Sequence, residues 1–351
     1  METETLIIGA GPYGLSLANY LHSQKKSFFL VGKPMELWRN HTFDSMALRS
    51  DYATSVIHSP NDRYSFERFA AAVQRPIEDF FGRLSVSAYR QYLDWCQDQF
   101  KFSIEEQYVT ALDIHNGTYH VKLDDGSRLR AKQVVVATGI AHHLHIPAEL
   151  APAKQVIHSY NIEAIQSLQH QSVLVVGAGQ SAAESIAVLL EHGNHVEWMT
   201  RTQPVYYSEP LNLPKSVFKV VLRLPALLQY LPPETLRIAL SQFSATTITP
   251  DFQPLLETLP RHSILPDVSR YDAVIAATGY CYQLNDVPFL SPTLKRRIQT
   301  YRGWPRISSQ FQSSVPGLYF LGAMTEPFFG PSMKFMIGSG YAAKTLARIL
   351  N

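Results

Sequence analysis

The chain has 351 residues and a mass of 39.6 kDa, which at roughly 150 residues per domain allows about two domains. Hydrophobic residues make up 46% and the formal net charge is only +2, which argues against a disordered chain, and the absence of a Lys/Arg run argues against a nucleic-acid partner. Two cysteines, Cys96 and Cys281, exclude a disulfide framework, a four-cysteine zinc site and a CxxC redox pair.

The first predicted strand, residues 5–8, runs into Gly9-Ala10-Gly11-Pro12-Tyr13-Gly14. A helix follows, with Leu15, Leu17, Ala18 and Leu21 as its apolar face, and residues 28–31 form a second strand. Residues 33–83 are irregular and aromatic. Residues 87–100 predict a helix with Tyr89, Tyr92, Leu93, Cys96 and Phe100 on one side, which places Cys96 in the core. Over 107–138 the period changes to two. Asn116-Gly117 and Asp125-Gly126 are hairpin signals between alternating runs, so a three-stranded meander is expected to end in the buried strand 134–137 and then Thr138-Gly139.

At Ser172 the opening pattern returns. Val173-Leu174-Val175-Val176 leads into Gly177-Ala178-Gly179-Gln180-Ser181-Ala182, a helix to about His192 and a strand over 195–199. The first glycines of the two turns are 177 − 9 = 168 residues apart. Residues 272–277 with Thr278-Gly279 then repeat the earlier VVVATG. Between the halves of this second unit, residues 215–243 read as apolar helices broken at Pro225 and Pro232-Pro233. A substrate lid or entrance is the expectation there, with a homo-oligomer contact or a membrane-surface patch as alternatives.

A glycine turn between strand and helix lets backbone N–H groups approach a pyrophosphate at the positive end of the helix. Here the turn occurs twice, each time after a buried strand and before a second one, which is the context a dinucleotide site requires. At the end of the second unit's next strand stand Thr200-Arg201-Thr202. An arginine in that place suits the 2′-phosphate of NADPH, whereas NAD sites usually carry an acid; Glu197 lies mid-strand. The first unit has Val31-Gly32-Lys33-Pro34 at the equivalent point, with no acid for an adenosine ribose, so backbone or Lys33 is expected to serve.

Two such units joined through Ala-Thr-Gly strands resemble the two-dinucleotide-binding-domain flavoproteins. Within that group GAGPYGLSLA (9–18), Trp38, SMALRS (45–50), VIHSY (156–160) and YDAVIAATGY (271–280) resemble the class B flavin-dependent monooxygenases, nearest to the lysine/ornithine N-monooxygenase branch. The resemblance implies an α/β fold of two Rossmann-like domains, the second inserted in the first. FAD would bind residues 1–165 plus 275–351, and NADPH residues 166–274, with an apolar helical insertion at about 205–260. Cofactor contacts are then expected from Gly9, Gly11, Pro12, Tyr13, Gly14, Lys33, Trp38, Arg49, Ser50, Val109, Thr138 and Gly139. Further contacts are expected from Gly177, Gly179, Gln180, Ser181, Arg201, Thr202, Thr278, Gly279, Gly322, Ser332 and Met333. A final helix from about Ser332 to Leu350, N-capped by Ser332, would point at the flavin.

The implied reaction passes hydride from NADPH to FAD, forms a C4a-(hydro)peroxyflavin with molecular oxygen, and transfers one oxygen atom to a nucleophilic N, S or C of a small organic substrate. Few side chains need act, since the cofactor carries the chemistry. Arg49 is the first candidate, as a donor to flavin or to a substrate anion, and Asn212 in Pro210-Leu211-Asn212 is the second. The sequence also shows departures: the chain is short for an amino-acid N-hydroxylase, Ala323 stands where the wider flavoprotein group often has Asp, and the Baeyer–Villiger signature FxGxxxHxxxW is not met. The alternatives are an NADPH-dependent FAD oxidoreductase serving a quinone or protein acceptor, and a non-catalytic flavin/NADPH-binding protein. No metal is expected: in His142-His143-x-His145, His143 and His145 would share one face of a strand, with no third ligand near. With no basic leader and no run of ~20 apolar residues, a soluble cytoplasmic protein is expected.

Overall fold

The computed structural model describes residues 1–207, 224–240 and 247–351. Two sheets organise it. The first runs in the order β2 (Phe28–Val31), β1 (Glu2–Ile8), β5 (Arg128–Val136), β4 (Thr118–Leu123), β3 (Val109–His115), with β13 (Leu318–Phe320) also on β5. The nine residues of β5 serve three neighbours. Its first half pairs antiparallel with β4, as in the predicted meander, and its last residues, Val134 to Val136, lie parallel to both β1 and β13. The β3–β4 hairpin turns at Asn116 and Gly117, both at positive φ (49° and 78°), the conformation that a two-residue hairpin of right-handed twist needs.

The second sheet is wholly parallel, in the order β6 (Val156–His158), β10 (Ala273–Ala276), β7 (Ser172–Val176), β8 (His195–Met199), β9 (Arg261–His262). A parallel strand is covered on both faces, which explains the unbroken apolar runs of β7 and β10. On strand membership this unit starts at β6 and includes all of β10, wider at both ends than residues 166–274.

Helices cover the sheets as the apolar periodicities require. Along the first unit come α1 (Pro12–Ser23), α2 (Glu36–Asn40), α3 (Phe66–Ala72) and α4 (Val86–Asp98). Leu15, Leu17 and Leu21 of α1 pack with Tyr89, Tyr92 and Cys96 of α4 on one face of the first sheet. The Ser85 hydroxyl caps α4 by accepting from the Ala88 N–H. In the second unit α5 (Ile162–Gln166) and α6 (Gln180–Glu191) cover one face, with Ala182, Ile186 and Leu189 against Val173, Val175 and Trp198.

Two readings change. The insertion contributes α7 (Leu224–Leu228), α8 (Pro233–Leu240) and α9 (Gln253–Leu256), with Pro225 within α7, Pro232 just before α8 and Pro233 as its first residue. The described part, residues 224–240, lies against the first unit: Glu234 of α8 accepts from Arg237, Tyr301 and Arg302. A Cβ on Gly330 would meet Leu228 Cδ1 at 2.4 Å. Residues 215–223 and 241–243 lie outside the described residues. The C-terminal helix does not start at Ser332. Between α10 (Pro292–Arg297) and the end of the chain come β11 (Thr300–Tyr301), β12 (Trp304–Pro305), β13, α11 (Glu326–Phe329), a 3₁₀ turn over Pro331–Lys334, and α12 (Gly338–Leu346). The reason is Tyr13: its hydroxyl sits 2.8 Å from the Met333 carbonyl and 3.0 Å from that of Phe335, which draws this backbone to α1 instead of into a helix. Ser332 Oγ is buried and caps nothing among the described residues.

Candidate active site

The two glycine turns are built alike. Gly9 and Gly177 leave their strands at φ 109° and 149°. A Cβ on Gly9 would lie 2.4 Å from the Ala137 carbonyl oxygen, and one on Gly177 would lie 2.2 Å from that of Ala277. Each turn is therefore pressed onto its own Ala-Thr-Gly strand end, which explains why the two motifs recur as a pair. Gly14 packs α1 onto the turn, since a Cβ there would strike the Gly9 carbonyl at 1.8 Å; it does not line the cavity. Gly11 is the opposite case. Nothing lies within 4 Å of its Cβ position, and it borders open space.

That open space is one continuous cavity of about 1930 Å³ reached by both turns. Ordinary small-ligand pockets hold about 300–1,000 Å³, so this volume suits two large ligands. The helices α1 and α6 begin at it with Gly11 and Gly179 in the N-cap positions, no side-chain cap and no acid in the first turn. Their leading N–H groups are thereby left for an anion.

Most predicted contact residues border this cavity. From the first unit these are Gly9, Gly11, Pro12, Tyr13, Lys33 and Trp38, then Arg49, Ser50, Val109, Thr138 and Gly139. Gly322 and Met333 reach it from the C-terminal segment. The second unit brings Gly177, Gly179, Gln180 and Ser181, then Arg201, Thr202, Thr278 and Gly279. Gly14 and Ser332 do not border it, and Asn212 lies outside the described residues. His142 and His145 line the cavity while His143 is buried beneath it. Among the described residues no group of three His, Cys, Asp or Glu could hold a metal.

Arg201 follows β8 and is exposed at the rim. Glu197 turns elsewhere. It accepts from the Tyr271 hydroxyl (2.6 Å), Arg270 (2.8 Å) and His262 (2.5 Å), and these donors, led by Tyr271 and offset by partial burial, hold its carboxyl below the usual range. Its acceptors are thus spoken for, and Arg201 is the charged side chain that the strand end offers a nucleotide.

Arg49 ties the units together. Its guanidinium donates to the Thr247 carbonyl (2.8 Å) and hydroxyl (2.5 Å); burial, then the charge of Arg83, lowers its pKa. Arg83 in turn donates to both carboxylate oxygens of Asp251 (2.8 Å each). Beside them Gln180 donates to Glu184 (2.8 Å) and accepts from the Thr249 N–H (2.9 Å). Burial raises the pKa of Glu184. Sequence reasoning missed Glu184, Thr247, Thr249 and Asp251; only the Gln180–Glu184 spacing of four residues offered a local signal. It also missed Glu36, which lines the cavity one turn beyond β2.

The described residues form no helix long and apolar enough to cross a membrane. Residues 3–222 match the family described as L-lysine 6-monooxygenase/L-ornithine 5-monooxygenase. The chain belongs to that family. It is accordingly a flavin-dependent, NADPH-consuming monooxygenase, an oxidoreductase that uses FAD and NADPH. Among relatives, an uncharacterized CzcO-like oxidoreductase of Geobacillus kaustophilus is 28% identical, over 91% of this chain and 90% of its own. The rhizobactin siderophore biosynthesis protein RhbE of Rhizobium meliloti is 25% identical over 58% of this chain and 50% of its own. Among solved structures, ornithine hydroxylase (PvdA) of Pseudomonas aeruginosa superposes with a TM-score of 0.78 at 16% identity, covering 100% of this chain and 99% of that one. L-lysine 6-monooxygenase of Pseudomonas syringae gives 0.76 at 20% identity, covering 99% of each. These superpositions bear out the α/β fold with parallel Rossmann-type sheets.

Proposed function

We propose that this monooxygenase oxygenates a nucleophilic nitrogen of a small organic amine, with FAD in the unit built on the first sheet and NADPH in the inserted unit built on the second. The observation that carries the reading is the single cavity into which both glycine turns open. The family's description and the siderophore-pathway relative support nitrogen over sulfur or carbon. FAD, when bound, supplies the redox chemistry, taking hydride from NADPH and, once reduced, reacting with dioxygen.

The chain's own residues bind, orient and shield. N–H groups at the start of α1 and α6 receive the two pyrophosphates, and the helix ends favour their charge. Tyr13 holds the 331–337 segment over the first turn, where Met333, Phe335 and Met336 border the cavity. Burial raises the Tyr13 pKa, so the phenol stays neutral and able to donate. Trp38, Met46 and the buried Leu48 keep water from the inner wall. Arg49, anchored on Thr247, presents its remaining N–H groups to flavin or to an anionic substrate group, and Arg201 meets the 2′-phosphate of NADPH. NADPH dependence accords with a cytoplasmic enzyme.

The test is NADPH consumption across a panel of diamines and amino acids, coupled to mass detection of a product one oxygen atom heavier. Product in proportion to NADPH is expected with at least one amine. Consumption that yields only peroxide with every amine, and oxygenated product only with sulfides or ketones, overturns it.

A further inference from the structure

The reading of the first unit as an FAD site leaves one place unexplained. The strand end that usually supplies an acid to the adenosine ribose is Val31-Gly32, with no side chain to offer. Geometry explains the glycine: at φ 137°, a Cβ on Gly32 would lie 2.8 Å from the Ala10 N and 3.1 Å from Gly9 Cα. The first turn sits so close to the strand end that an acid cannot stand there.

The chain then makes an unusual move. Met35, a non-glycine residue, takes left-handed φ/ψ (52°, 35°), its N–H donating to the Ala10 carbonyl at 3.0 Å. Such backbone strain persists only where surrounding contacts compel it. It starts α2 at Glu36, whose side chain borders the cavity. Glu36 Oε1 accepts from the Tyr108 hydroxyl, and Lys33 Nζ lies 4.9 Å from the centre of the same ring. Burial raises the pKa of Tyr108 and Tyr160, and the charge of Glu36 raises both further; burial lowers that of His142, and Glu36 opposes the change. The carboxylate thus contacts the Tyr108 hydroxyl and lies within electrostatic reach of two further cavity-lining rings, Tyr160 and His142, at the end of the cavity where Val109 and Lys33 also stand.

Among the described residues two other acids border the cavity. Asp51 is engaged in capping, its carboxylate accepting from the Ala53 N–H at 2.7 Å, and Glu149 follows the chain's crossing toward the second unit. A carboxylate beside a pyrophosphate is repelled unless it meets hydroxyl donors, and the ribose is the part of FAD that carries such donors next to the adenine.

We propose that Glu36 is the acceptor for the adenosine ribose hydroxyls of FAD, placed from the first turn of α2 by the strained Met35 and oriented by Tyr108. It replaces an acid that the strand end cannot carry. The role is one of binding and of flavin choice: FMN lacks the adenosine and gains nothing from Glu36.

The experiment measures binding of FAD and of FMN to apoprotein by flavin fluorescence, together with the rate of FAD release from holoprotein. Glu36→Ala is expected to weaken FAD on the order of tenfold or more, a charged hydrogen bond's worth, to speed FAD release equally, and to leave FMN affinity unchanged. Glu36→Gln, which keeps an acceptor, is expected to recover part of the loss. FAD affinity unchanged in Glu36→Ala overturns the proposal. So does an equal loss for FAD and FMN, which would mark a structural role. If Glu36→Ala does not fold, Glu36→Gln with unchanged FAD affinity and release rate overturns it alike. Wild-type protein that binds neither flavin overturns the parent reading as well, so the two failures are distinguishable.

Discussion

Single residues decide how the site is held and how it responds to pH. The Tyr13 hydroxyl is the donor facing the Met333 and Phe335 carbonyls. Tyr13→Phe leaves them without it at a cost of about 1–3 kcal/mol, expected as a lower urea midpoint together with faster flavin loss. Histidines set the acid limit. Burial lowers His58 to about 4, against a smaller opposing effect of Asp62; burial, reinforced by His142 and opposed by Asp286, lowers His143 to about 4. Both remain neutral in the fold while the unfolded chain protonates near pH 6.5. Their contribution is therefore complete above about pH 6.5 and is lost as pH falls toward about 4. His143→Phe, which keeps a ring beside Tyr282, is expected to flatten the fall in urea midpoint between pH 7 and pH 5. An unchanged slope would refute the assignment for that residue. Arg201→Ala belongs here too: the preference for NADPH over NADH is expected to drop on the order of tenfold, as the loss of a charged hydrogen bond implies. An unaltered ratio in steady-state kinetics would remove Arg201 from the cofactor site.

At the scale of elements, the recurring part is strand, glycine turn and helix locked onto an Ala-Thr-Gly strand end. The two copies sit in different sheets, so they are separable by mutation. Gly177→Ala drives a Cβ into the Ala277 carbonyl and must displace the second turn. The expected outcome is loss of flavin reduction by NADPH with flavin content and dithionite reduction retained. Gly9→Ala does the same to the first turn and is expected to lose flavin itself. Should Gly177→Ala lose flavin as readily as Gly9→Ala, the division of labour between the copies is wrong. The C-terminal segment shows how an element can be misread. Its apolar spacing suits one helix from Ser332, but Tyr13, 320 positions earlier in the chain, takes the backbone carbonyls that a continuous helix would have used.

For the whole molecule, two sheet-based units are joined at one cavity, with Arg49–Thr247 and Arg83–Asp251 bridging them. A ligand that fills such a cavity stabilises the fold by mass action, by about 2.7 kcal/mol at a hundredfold excess over its dissociation constant. FAD is expected to raise the melting temperature of apoprotein accordingly, and Gly9→Ala to abolish the rise. The bridging pair Arg83–Asp251 is partly exposed and adds little to stability on its own, within about 1 kcal/mol.

The longer strands, both glycine turns, the hairpins and the duplicated plan were legible in the sequence, because apolar period and turn chemistry act over a few neighbouring residues; the two- and three-residue strands β6, β9, β11 and β12 were not. The cofactor class followed for the same reason: a pyrophosphate is bound by backbone at a turn, and the turn is written locally. The polar contacts around the cavity were not legible. Gln180 meets Thr249 across 69 positions, Tyr108 meets Glu36 across 72 and Arg83 meets Asp251 across 168. No local pattern specifies such pairs, since they exist only once the sheets have brought distant loops to one wall. The tertiary structure alone decided that Ser332 caps no helix, that α7 and α8 lie on the first unit, and that Glu36 of α2 borders the cavity beside Tyr108.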